Sequence, residues 1–171
     1  IKEHPEWDMK ERLLLDKIDY KNGTIKLNGK EYPLNDTYFP TVDPKDPYKL
    51  TQQEEDVVDR LKNSFLGSER LQRHIRFLYT KGSLYKVYNG NLLYHGCVPM
   101  NDDGSFMKVN IYGKTYSGKA LYDILEHYAR KGYYSIDPVD KKRGEDILWF
   151  IWKNKHSPVF GKERMATFER Y

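Results

Sequence analysis

The sequence has almost no cysteine, and Cys97 stands alone. A single thiol excludes an internal disulfide and fits a reducing compartment, so the expected location is cytoplasmic. Long apolar runs are also missing. No stretch approaches the roughly 20 residues that cross a bilayer, and the mean hydropathy of -0.84 argues the same way. The first residues, Ile1-Lys2-Glu3-His4-Pro5, are charged and hold no apolar leader core. Opening on isoleucine rather than methionine suggests a chain that begins inside a longer one. A large excess of one charge is absent as well: 29 Lys and Arg face 25 Asp and Glu, a net of +4. That bias suits small anionic substrates and falls short of a nucleic-acid-binding balance. There is no internal repeat and no low-complexity tract.

What is present is aromatic. Of the 171 residues 39% are hydrophobic and 15% are aromatic, 15 of them tyrosines. That length supports a compact domain, and its core can be built from rings that keep a polar tip. The spacing predicts a helix from Trp7 to Ile18, with Met9, Leu13 and Leu14 on related faces. Strands follow at Thr24 to Leu27 and Lys30 to Leu34, punctuated by Asn22-Gly23 and Asn28-Gly29, strong hairpin signals. Pro40, Pro44 and Pro47 then force an extended loop.

Thr51 and Glu54 form a capping box ahead of Val57, Val58, Leu61 and Phe65, a helix that Gly67 ends. Ser68 caps a second helix carrying Leu71, Ile75 and Leu78, terminated by Lys81-Gly82. Leu84 to Tyr88 and Leu92 to Tyr94 read as a hairpin about Asn89-Gly90. Val109 and Ile111 alternate in a further strand. Ser117 opens an amphipathic helix through Leu121, Ile124, Leu125 and Tyr128, closed by Gly132. Asp137-Pro138 opens a last helix. It runs into Ile147 to Trp152, apolar on every side and so expected to be buried, with Trp149 and Trp152 in the core.

The segment richest in chemistry is Leu92-Leu93-Tyr94-His95-Gly96-Cys97-Val98-Pro99. An apolar strand ends in a histidine, and the glycine after it allows a sharp turn and close approach to a ligand. Neutral imidazole at such a place suits manganese, iron or zinc. On spacing alone, a lone His-Gly reads more simply as a structural histidine in a turn. Cys97 has apolar neighbours and reads as a packed thiol rather than a nucleophile. Arg70, Arg73 and Arg76 around His74 suit a phosphate clamp, but alternating arginines on a helix more often form a solvated face. Lys162 and Arg164 are candidates to reach a sugar phosphate from a loop. Asp102-Asp103 is first of all turn chemistry, and His156 is expected to be exposed.

His95-Gly96-Cys97-Val98-Pro99 resembles the histidine-glycine segment of the calcineurin-like metallophosphoesterases. The chain is more closely similar to one family, the long bacterial fructose-1,6-bisphosphatases of the third class. The similarity rests on Tyr32-Pro33-Leu34-Asn35-Asp36, Asp43-Pro44-Lys45-Asp46-Pro47-Tyr48, Leu71-Gln72-Arg73-His74-Ile75-Arg76-Phe77 and Leu93 to Pro99. It continues through Asn101-Asp102-Asp103-Gly104-Ser105-Phe106, Ser157-Pro158-Val159-Phe160-Gly161-Lys162 and Met165 to Tyr171. These run in order from near residue 20 to the last residue.

The resemblance implies an α/β fold of mixed helices and short strands, a section of a metallophosphoesterase-like fold. Residues 1–171 would be a single segment of a larger phosphatase: hairpin and Pro-rich loop over 1–50, then the helix pair, the strands with the His95 loop and the C-terminal helices over 51–171. It implies removal of the 1-phosphate of fructose 1,6-bisphosphate at two manganese ions, with His95 as one metal ligand and Lys162 and Arg164 toward substrate. The family's Gly-Asp-x-x-Asp-Arg and Gly-Asn-His-Asp segments do not occur here. The other ligands and the catalytic residues would therefore lie in the remaining parts of the parent chain, and the segment would be inactive alone. Two alternatives stand beside this reading. One is a non-catalytic module binding single-stranded nucleic acid through its tyrosines; the other is the same metal chemistry on phosphoprotein or another sugar phosphate.

Overall fold

A computed structural model describes residues 1–162. Three 3-10 turns (Pro5–Trp7, Lys10–Arg12, Leu15–Lys17) lead into strands β1 (Ile18–Asp19), β2 (Thr24–Leu27) and β3 (Lys30–Pro33). Helices α1 (Gln52–Gly67) and α2 (Glu69–Lys81) follow, then hairpins β4–β5 (Tyr85–Tyr88, Asn91–Tyr94) and β6–β7 (Val109–Ile111, Lys114–Tyr116). Helices α3 (Gly118–Tyr134) and α4 (Pro138–Lys153) complete the order. The class is the expected mixture of helices and short strands, and each strand pairs antiparallel with a neighbour in sequence. Among the described residues no helix is long and apolar enough to cross a membrane.

The chain divides into two compact units. One runs from Leu13 to Ile75; the other joins residues 1–12 to the stretch from Arg76 onward, so the division falls inside α2. In the first unit β2 is central, paired to β1 through Ile18↔Ile25 and to β3 through Ile25↔Tyr32 and Leu27↔Lys30. Asn28 (φ 49°) and Gly29 (φ 76°) both take positive φ, the geometry a two-residue turn between twisted strands requires. Ile25 and Leu27 are buried. The Thr51 cap on α1 forms as predicted, with Glu54 returning a bond to the Thr51 N–H at 2.7 Å. The α1 stripe stays uncovered: Val57, Val58, Leu61 and Phe65 are 44–62% exposed.

The second unit holds the main core, built from Trp7, Met9, Val109, Ile111, Leu121, Leu125, Ile147 and Phe150. The expected helix from Trp7 to Ile18 does not form. Residues two apart on a helix point about 200° apart, yet Trp7 and Met9 are both buried in this core. A break at Asp8, in the left-handed region at φ 47°, lets both side chains enter.

Gly132 likewise does not close α3, which continues to Tyr134. It is instead where α3 and α4 cross. A Cβ on Gly144 would lie 2.5 Å from the Tyr128 carbonyl oxygen and closer still to the Gly132 backbone. The expected burial of Trp149 and Trp152 is also overturned: they are 52% and 60% exposed, with the Lys153 ammonium over both rings. Only the Ile147–Phe150 side of that apolar run meets the core.

Candidate functional site

β4 and β5 pair in the register Tyr85↔Tyr94, Lys86↔Leu93 and Val87↔Leu92, about a turn at Asn89-Gly90 with both residues at positive φ. His95 follows β5 immediately and is exposed. The next residues are pinned. The Cys97 N–H donates to the Pro158 carbonyl at 2.9 Å, and the Tyr122 hydroxyl donates to the Cys97 carbonyl at 2.8 Å. A Cβ on Gly96 would lie 2.6 Å from the Val159 carbonyl oxygen and closer still to that of Pro158. A Cβ on Gly161 would collide with Cys97 Sγ. Two segments singled out separately in the sequence, His95 to Pro99 and Ser157 to Gly161, are thus packed backbone to backbone.

The supporting loop is itself tied down. Ser157 is fully buried; its Oγ donates to the Ile151 carbonyl at 2.6 Å and accepts from the Val159 and Phe160 N–H groups. Asn154, also buried, donates to the Trp7 carbonyl at 2.7 Å and accepts from the His156 N–H at 2.8 Å. The Arg12 guanidinium donates to the Lys153 carbonyl at 2.8 Å and to the Lys162 carbonyl, and lies over the Phe160 ring. His156 is half-buried rather than exposed. Burial pushes its pKa below 6.5, Lys155 adds to that, and Asp8 opposes it. Burial raises the Cys97 thiol, which agrees with a packed thiol. Lys162 is exposed, one residue beyond Gly161. Arg164 and the Met165 to Tyr171 motif lie outside the described residues.

His95 opens on a cleft of about 540 Å³ whose lining includes Lys81, Ser83, Tyr85, Lys86 and Tyr94. Lys81 and Lys86 were not singled out in the sequence, where Lys81-Gly82 carries a plain helix-stop signal. The wall bearing Lys81 is stapled to α3 by Arg130, which donates to the Tyr79 carbonyl, to the Gly82 carbonyl at 2.6 Å and to Glu126 at 2.8 Å. Glu126 also accepts from Ser83 Oγ at 2.6 Å and the Leu84 N–H at 3.0 Å. Burial works to raise the Glu126 pKa, but the bonds from Ser83, Arg130 and Leu84 outweigh it and hold the carboxyl below 4.5.

Glu3, His4 and Asp146 bring ligand atoms within 4.8 Å of one another. Lys142 already bridges the two carboxylates, at 2.8 Å from Glu3 and 2.5 Å from Asp146, and His4 lies 3.1 Å from Asp146. An ammonium supplies the charge a cation would bring, so this set works as an ion-pair latch from the N-terminal segment to α4. Among the described residues His95 belongs to no group of three such side chains. It offers one donor, and a two-metal centre needs more. Asp103 closes its own turn, accepting from the Ser105 N–H and Oγ, while Arg70, Arg73, His74 and Arg76 are exposed as a solvated face would be.

A family model described as Firmicute fructose-1,6-bisphosphatase matches residues 1–171. The chain is 56% identical over 172 residues to the class 3 fructose-1,6-bisphosphatase of Clostridium novyi and 56% identical to that of Clostridioides difficile. It is 54% identical to that of Clostridium tetani. In each case all of this chain is covered, against 26% of the relative. The chain therefore spans about a quarter of the length of the curated relatives it matches. No solved structure matches it.

Proposed function

We propose a function from one premise, that this chain belongs to the Firmicute fructose-1,6-bisphosphatase family over residues 1–171: it forms part of a metal-dependent phosphatase acting on fructose 1,6-bisphosphate in gluconeogenesis. Water adds to the phosphorus of the 1-phosphate, the bond from that phosphorus to the sugar oxygen breaks, and fructose 6-phosphate and inorganic phosphate leave. The observation that carries this reading is His95, exposed at the end of β5 on a cationic cleft and followed by a backbone that the Ser157–Gly161 loop holds in place.

His95 would hold one of two metal ions, for which manganese suits an imidazole and oxygen donor set. Such ions lower the pKa of water and neutralise phosphoryl charge. The remaining ligands, and any general acid, would come from parts of the enzyme outside these 171 residues. The fixed backbone around Gly96 orients the imidazole before substrate arrives, and a preset geometry is where much of the catalytic benefit of a positioned group lies. Lys162, which follows the loop that buttresses the His95 segment, would meet substrate phosphate. The nucleic-acid alternative draws no support from the family match.

The test is His95→Ala in the full-length enzyme. Loss of groups that merely orient a ligand costs about 10–100-fold, so loss of the ligand itself should lower phosphate release from fructose 1,6-bisphosphate by at least about 100-fold, with circular dichroism unchanged. Wild-type turnover by the variant would remove His95 from the site. Equal release by the wild type from phosphoprotein or other sugar phosphates would overturn the substrate assignment.

A further inference from the structure

We infer that Lys81 and Lys86 form the subsite for the second, non-reacting phosphate of a sugar bisphosphate, on the same cleft as His95. This deepens the proposed function and rests on it. The cleft's lining contains two lysines and a histidine but no aspartate or glutamate, in a chain that carries 25 acidic residues. Among the described residues neither ammonium has a carboxylate within ion-pair distance, whereas Lys119, Lys131, Lys142 and Lys155 each have one. Two exposed cations thus border one concavity without counter-charges, the Lys86 ammonium resting 6.0 Å from the centre of the Tyr88 ring. The arrangement favours a dianion between them, and lysine binds phosphate as a point charge.

The hairpin sets the spacing. Lys86 stands opposite Leu93, two residues before His95. Strand rise and inter-strand distance put the Lys86 and His95 backbones about 8 Å apart. One phosphate at the metal ligand and another at the lysines therefore fit the two ends of a single hexose, in a cleft whose volume lies in the range of roughly 300–1,000 Å³ usual for small-molecule sites. Lys81 is the last residue of α2, where the helix dipole would oppose an anion. Arg130 answers that end by donating to the Tyr79 and Gly82 carbonyls, which leaves Lys81 free to act on the cleft. The division of labour is chemical: His95 serves the phosphate that leaves, and the lysines select substrates that carry another.

The experiment is steady-state kinetics on the full-length enzyme and its Lys81→Ala, Lys86→Ala and double variants, with fructose 1,6-bisphosphate and fructose 1-phosphate. Each single variant should raise KM for the bisphosphate about tenfold or more, the loss expected for one charge-assisted contact. The effect should be confined to KM for the bisphosphate, leaving the monophosphate nearly untouched, and Lys→Arg at either position should restore part of the affinity. Equal effects on both substrates, or none, would overturn the subsite. If the wild type released phosphate from neither substrate, the proposed activity would fall on its own. Calorimetric binding of fructose 1,6-bisphosphate would then decide the subsite: binding lost in the double variant supports it, and binding that is absent from the wild type or unchanged in the variant refutes it.

Discussion

Replacing Gly96 by alanine adds one methyl group at the point where the His95 loop touches its support. That carbon would lie 2.6 Å from the Val159 carbonyl oxygen, 2.8 Å from its carbon, and closer still to the Pro158 oxygen. The neighbours are backbone atoms, so no side chain can swing away. Carbon–oxygen contacts settle at about 3.3–3.6 Å, so the two loops must part by roughly 1 Å. That stretches the 2.9 Å bond from the Cys97 N–H to the Pro158 carbonyl past the length at which it holds. Overpacking costs about 1–3 kcal/mol and the lost bond about 1 kcal/mol, so the variant should be destabilised by about 2–4 kcal/mol. A shift of His95 by about 1 Å should cost on the order of 100-fold in turnover. The assay pairs urea unfolding with phosphate release in the full-length enzyme. Gly90→Ala is the control, because nothing lies within 4 Å of a Cβ there and only its φ of 75° opposes a side chain. It should cost about 1–2 kcal/mol of stability and little turnover. A Gly96→Ala enzyme with wild-type midpoint and wild-type rate would refute the claim that the loops hold each other.

Gly144→Ala should destabilise by about 2–4 kcal/mol in urea unfolding, since the new methyl would meet the Gly132 backbone and the Tyr128 carbonyl where α3 and α4 cross; an unchanged midpoint would mean the helices can separate at no cost. Because burial holds His156 below 6.5 in the folded protein, the unfolded chain takes up that proton first as pH falls. Stability from this residue is therefore present above about pH 6.5 and declines as pH drops from there toward the folded value. His156→Gln should flatten that part of the profile, and an unaltered profile would show that the residue is not the group responsible.

Much of the local structure was legible because it depends on few residues. The Thr51/Glu54 box, the Asn28-Gly29 and Asn89-Gly90 turns and the Asp137-Pro138 start need only a cap or a positive φ, and all formed. The errors arose where tertiary contacts outrank local signals. Trp7 and Met9 fit a helical spacing, but the core takes both, which a helix cannot deliver. Gly132 looked like a stop, but its missing side chain serves the crossing of α3 and α4. An apolar pattern states that a face seeks a partner, not that the partner lies within the same stretch of chain. The α1 stripe and the Trp149/Trp152 pair are exposed in a chain that spans 26% of its relatives.

The site divides along the same line. His95 stands out in the sequence through the resemblance of its segment to a known family, its spacing alone reading as a structural histidine, whereas the lysines on its cleft carry no such signal. Lys81 comes from the end of a helix and Lys86 from the first strand of a hairpin, and nothing in their spacing announces that the chain folds them around one concavity. What places Lys81 is Arg130, some fifty residues away, reaching from α3 to the carbonyls of Tyr79 and Gly82. That contact has no sequence signature, because a guanidinium on a helix reads first as surface charge. The separation explains why the proposed metal ligand can be named from sequence while the lysines proposed for a second phosphate emerge only from the fold.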